Sequence, residues 1–150
     1  MKALVYIYSM PHLGLLHCSV SAGRVSALIN ATRYTGESFR LNAVTDPMIP
    51  VELAPRVVDL CLAGTDPRHP YASPLYGDLA GLPPTLILVG SDEVLRDDAV
   101  RVADKMRLAG CSVEIEVWEH MWHGWHMLVR VMPEARAGIV RIAKFTQDKW

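Results

Sequence analysis

The chain has 150 residues, 51% of them hydrophobic and 21% charged, which suits one domain with its own core and excludes a disordered tail. Fifteen Lys/Arg stand against sixteen Asp/Glu, a formal net charge of −1. The basic residues are scattered, so no positive face exists to hold a nucleic-acid backbone, and no nucleic-acid partner is expected.

Cys18, Cys61 and Cys111 are far apart and form neither a disulfide framework nor a CxxC metal knuckle. They read as reduced core residues, which points to a cytoplasmic location. No apolar run reaches the ~18 residues of a membrane span. The start, Met1 to Tyr8, loosely resembles a signal peptide, but Pro11 and His12 cut its apolar stretch short.

In chain order, Ala3 to Tyr8 reads as a short buried strand and Val25 to Asn30 as a second. Pro11, Gly14 and Gly23 break the segment between them. Thr32 to Pro50 reads as an irregular surface loop, and Val51 to Leu62 as a helix stopped by Gly64. Thr65 to Pro84 is a proline-rich excursion. Thr85 to Val89 is a continuous apolar run closed by Gly90, the pattern of a strand buried on both faces. Leu95, Ala99, Val102, Ala103, Met106 and Ala109 then recur at helical spacing, with Asp92, Glu93, Asp97 and Asp98 at the N-terminal end and Gly110 as the stop.

Val113, Ile115 and Val117 alternate with Glu114 and Glu116, which predicts a half-exposed strand near a sheet edge. Glu134 to Gln147 reads as a last amphipathic helix, with Ala135, Ile139, Ile142, Ala143 and Thr146 along one side. Strand–helix–strand–helix at these lengths implies an α/β chain with a mostly parallel sheet flanked by helices.

Ligands of such sheets bind beyond the carboxyl ends of the strands. Two polar clusters fall there: Gly90-Ser91-Asp92-Glu93, and Glu119-His120-Met121-Trp122-His123-Gly124-Trp125-His126. A carboxylate from the first could fix the tautomer of an imidazole from the second, as acyl-transfer triads require. The bland alternative for Asp92 and Glu93 is charge stabilisation of a helix N-terminus, worth ~0.3–1 kcal/mol. His120, His123 and His126 lie three apart, and i+6 rotates off the face shared by i and i+3, so a metal site does not follow simply. The neighbouring Trp118, Trp122 and Trp125 predict a packed aromatic loop instead.

Ser73 to Pro84, then Val89 to Asp98, then Val117-Trp118-Glu119 and His123-Gly124-Trp125, together resemble the C-terminal half of the hormone-sensitive-lipase-like α/β-hydrolases, bacterial carboxylesterases. Phe39 to Ala43 and Thr45 to Ile49 are similar to the same family's segment after the sixth strand. The resemblance implies a partial α/β-hydrolase fold: one domain over residues 1–150, with 1–23 an atypical N-terminal segment and 24–150 the C-terminal half of a hydrolase domain.

Carried over position by position, the resemblance makes His123 the catalytic base. Aligning Leu95, Asp97 and Asp98 to the family's D-x-L-x-D-E puts Glu93 at the acid position, with Asp92 as the alternative. The family's H-G-G-G and G-x-S-x-G motifs do not occur in these residues. Ser21, in Ser19-Val20-Ser21-Ala22-Gly23, echoes the nucleophile motif most closely but would stand at the amino end of the sheet; Ser9 follows a strand but has no motif. The expected function is hydrolysis of a small carboxylic ester by a Ser-His-acid mechanism, weak without the elbow and oxyanion hole. The alternative is a truncated, non-catalytic hydrolase remnant that dimerises. No cofactor is implied, and an exposed strand edge predicts a homodimer on either reading.

Overall fold

Thr85–Gly90 is a strand of a parallel sheet and is buried at every position. A computed structural model of the chain describes residues 4–7, 25–26, 35–62, 64–70 and 73–149. Four strands are present among them: β1 (Leu4–Ile7), β2 (Val25–Ser26), β3 (Thr85–Gly90) and β4 (Val113–Trp118). They run parallel in the order β2-β1-β3-β4. The expected strand at 3–8 is therefore the inner neighbour of β3, with Ile7 opposite Leu88. Of the strand expected at Val25 to Asn30, only Val25–Ser26 is described.

Alternate side chains of a strand face opposite sides of its sheet, so β3 feeds two cores. Ile87 and Val89 pack with Leu95, Ala99, Val102, Ala103 and Met106 of the segment leading into and forming helix α3 (Arg96–Leu108). Leu86 and Leu88 pack against Phe145 of α4 (Pro133–Lys149). Burial of each such side chain contributes ~1.5–3 kcal/mol. The result is a helix–sheet–helix sandwich. α3 ends as the sequence predicts: Gly110 takes φ 76°, Cys111 N–H donates to Met106 O, and Gly110 N–H to Arg107 O, a Schellman closure.

β4 lies at the edge of the described sheet and is half-exposed. Val113 and Ile115 reach the α3-side core, while Glu114 and Glu116 pair with Arg141 of α4. Cys111 is a free thiol; Cys18 and the side chain of Cys61 lie outside the described residues. Among the described residues no helix is long and apolar enough to cross a membrane.

Three expectations need correction. The segment from Thr32 to Pro50 is not simply an irregular surface loop. It contains α1 (Glu37–Leu41), and Ser38 and Asp46 are buried. Their polar groups tolerate burial because each is hydrogen-bonded to the turn after β3. The helix expected over Val51 to Leu62 is split, with a 3-10 turn at Val51–Leu53 before α2 (Ala54–Leu62); Pro55 lies in the first turn of α2, where its missing N–H costs nothing. Finally, the buried stripe of α4 is Ala135, Gly138 and Phe145, with Ile142 partly buried, whereas Ile139 and Ala143 are exposed. Trp125 lies against this face. Its ring packs so close to Gly138 that a Cβ there would lie 2.6 Å from the ring edge.

Candidate functional site

Two turns meet at the carboxyl end of the sheet. One leaves β3 at Gly90 and enters α3; the other leaves β4 at Trp118. Ser91 N–H donates to Trp118 O, Asp92 N–H donates to Met121 O, and His120 N–H donates to Ser91 Oγ. The second turn also carries an aromatic plug. Trp118 and Trp125 stack at 4.8 Å between ring centroids, and Met121 and Ala135 pack around Trp125. Of the three tryptophans expected in a packed aromatic loop, Trp118 and Trp125 form it.

Between these turns His123 Nδ1 lies 2.6 Å from Glu93 Oε1. Both side chains are buried, at 2% and 1% exposed. The other carboxylate oxygen, Oε2, accepts Gly90 N–H at 3.0 Å. Burial pushes the Glu93 carboxyl above its ordinary range; the hydrogen bond and charge of His123 and the Gly90 N–H oppose that rise, and the nearby Asp46 reinforces it. With Glu93 accepting at Nδ1, the lone pair of the neutral ring lies on Nε2. His123 Nε2 is buried and has no hydrogen-bond partner among the described residues.

The other site residues named from the sequence lie elsewhere. Asp92 accepts from Ser91 Oγ and stands 4.0 Å from His120 Nδ1, so its carboxylate does not reach His123. His120 is on the surface, its side chain 86% exposed and its backbone left-handed at φ 58°. His126 is partly buried, its ring edge-on to Trp125, and burial and the nearby His123 lower its pKa to about 4. Among the described residues no three His, Cys, Asp or Glu form a metal-binding group. Ser21 and Ser9 lie outside the described residues.

Sequence reasoning missed the layer behind Glu93. Asn42 Nδ2 donates to both Ser91 O and Glu93 O, at 2.8 and 2.9 Å. Asp46 Oδ2 accepts Val94 N–H. Ser38 Oγ donates to Val94 O and accepts Asp97 N–H, supplying from α1 a cap that α3 lacks in its own sequence. Their spacing, at 38, 42 and 46, was the available signal: three short polar residues four apart in a segment otherwise read as loop.

A family model for the alpha/beta hydrolase fold matches residues 14–127. The chain belongs to that family. Among curated relatives, the chain is 54% identical to an acetyl-hydrolase of Streptomyces hygroscopicus over 84 residues, 56% of this chain and 28% of that protein. It is 37% identical to an esterase of Acinetobacter venetianus over 112 residues, 74% of this chain and 37% of that one. A solved esterase of the bacterial hormone-sensitive lipase family superposes with a TM-score of 0.75 at 41% identity, covering 77% of this chain and 39% of the other. The resemblance drawn from the motifs is borne out. The chain thus spans well under half the length of the relatives it matches.

Proposed function

We propose that the chain acts in carboxylic-ester hydrolysis, with His123 as general base and Glu93 as the acid that orients it. The buried His123–Glu93 hydrogen bond carries this reading. Glu93 holds the Nδ1–H tautomer and leaves Nε2 to take the proton of an attacking hydroxyl. The resulting imidazolium is then stabilised by the carboxylate beside it. The same Nε2–H then gives that proton to the leaving alkoxide as the acyl-serine forms; in the second half Nε2 takes a proton from an attacking water and passes it to the departing serine as the acid is released. The name of the Streptomyces relative supports a short acyl group.

Ser21 and Ser9 are the serines to test as nucleophile. Asp92, already engaged by Ser91, is the weaker choice of acid. The deciding experiment is hydrolysis of a short-chain p-nitrophenyl ester by the purified chain, beside His123→Ala and a Ser21→Ala/Ser9→Ala double variant. Turnover that disappears in His123→Ala supports the reading. An unchanged rate in that variant, or a native rate no better than free imidazole, overturns it.

A homodimer and a reducing, cytoplasmic setting belong to the same proposal. The edge position of β4, with Val117 45% exposed, supports pairing with a second copy, and the free Cys111 thiol supports the setting. A monomer by light scattering would remove the dimer. A cell fraction in which the chain is found outside the cytoplasm would remove the setting.

A further inference from the structure

The Glu93 side chain is buried, and its two carboxylate oxygens are held by Gly90 N–H and the His123 ring, so its direction depends on where the backbone of residues 91–94 lies. That backbone is a short turn between a strand end and a helix whose own N-cap residue, Leu95, makes no side-chain cap bond. Yet the turn is gripped from a segment some fifty residues earlier. The Asn42 amide bridges the Ser91 and Glu93 carbonyls, and Asp46, 3% exposed, takes the Val94 N–H. Asp46 is itself set by a second bond, Met48 N–H to its Oδ1 at 3.0 Å. Every backbone atom these two side chains hold in the turn belongs to Glu93 or lies within two residues of it.

We propose that Asn42 and Asp46 are positioning residues that clamp the Ser91–Val94 turn and so keep the Glu93 carboxylate on His123 Nδ1. This rests on the reading of Glu93 and His123 as the acid and base of a hydrolase. One amide donating to two carbonyls defines the turn's orientation more tightly than one bond would. A displacement near 1 Å is enough to cost on the order of 10²-fold in rate.

The test uses the full chain and two readouts. The first is the low-field proton resonance of His123 Nδ1–H, assigned by its loss in His123→Ala. The second is p-nitrophenyl ester turnover. In Asn42→Ala and Asp46→Ala the resonance is expected to vanish or move upfield while far-UV dichroism and cooperative unfolding persist. kcat is expected to fall on the order of 10²-fold with KM unchanged. Should Asp46→Ala fail to fold, Asn42→Ala decides alone, because Asn42 is only partly buried and its loss leaves no charge unpaired. Folded variants that keep the native resonance overturn the proposal, as does its absence from the native chain. A native chain that hydrolyses nothing, yet loses the resonance in Asn42→Ala, keeps the clamp and sinks the esterase reading instead.

Discussion

The Met121 carbonyl passes directly over Gly90: a Cβ on residue 90 would lie 1.9 Å from the Met121 oxygen and 2.5 Å from its carbonyl carbon. The same oxygen accepts Asp92 N–H at 3.0 Å. Only glycine lets the turn after β4 cross the end of β3 this closely. The obstacle is backbone and cannot rotate aside, as a side chain would. Gly90→Ala is therefore expected to lose at least ~1–3 kcal/mol, the usual cost of overpacking, and to separate His123 from Glu93. Urea unfolding measures the first effect and the His123 Nδ1–H resonance the second.

Asp92 and Glu93 are neighbours in sequence with different surroundings, and substitution distinguishes them. Glu93→Gln sets an amide donor against either the Gly90 N–H or the His123 Nδ1–H. Its expected cost is ~1–3 kcal/mol of stability for an unsatisfied buried group. Any ester turnover is expected to drop on the order of 10⁴-fold as the tautomer is lost. Asp92→Asn leaves the buried pair intact, so turnover is expected to stay near native. Equal losses in the two variants would contradict the geometry.

Asp97 makes the α1–α3 joint depend on pH. Burial works against its ionisation, but the Ser38 N–H and the Arg96 guanidinium outweigh that, so its pKa is lowered from the ordinary 3.8. A lowered folded-state pKa means the unfolded chain takes the proton first. The contribution is thus present above 3.8 and is lost as pH falls through the folded value. Asp97→Asn is expected to cost about 1 kcal/mol at neutral pH, an ordinary hydrogen bond's net worth, and progressively less in acid. A native-to-variant gap in Tm that stays constant down the acid range would refute this.

His126 acts over a higher window. Burial, then the charge of His123, lowers it to about 4 from 6.5. Between those values the unfolded chain binds a proton that the folded chain refuses, so stability falls as pH drops through 6.5 toward 4. His126→Gln is expected to flatten that part of the stability curve. A proton-NMR titration of the His126 ring gives the direct check: a midpoint near 6.5 would show the ring to be solvated.

The corrected face of α4 makes a simple contrast. Phe145→Ala empties a site buried against Leu86 and Leu88 and is expected to cost ~3–5 kcal/mol. Ile139→Ala, at a residue 42% exposed, is expected to stay within about 0.5 kcal/mol of native. Thermal unfolding of the two variants tests the register of the helix on the sheet.

β3, α3, β4 and α4 were legible from local sequence, because each buries a face whose spacing follows the period of its own backbone. The continuous run at 85–89, the Gly110 stop and the Val/Glu alternation at 113–117 all carry that signature. The two turns bearing Glu93 and His123 were legible too, since functional loops leave a parallel sheet at its carboxyl end. Other features needed the tertiary structure. Side chains at 92 and 93 diverge within a turn that has no period, so the sequence left open which carboxylate meets the ring. The roles of Ser38, Asn42 and Asp46 arise from hydrogen bonds across about fifty residues, and such bonds leave no mark on local composition. On the buried face of α4, Gly138 lies against Trp125, a contact between two elements. Periodicity records which residues of one element share a side; only packing decides what that side meets.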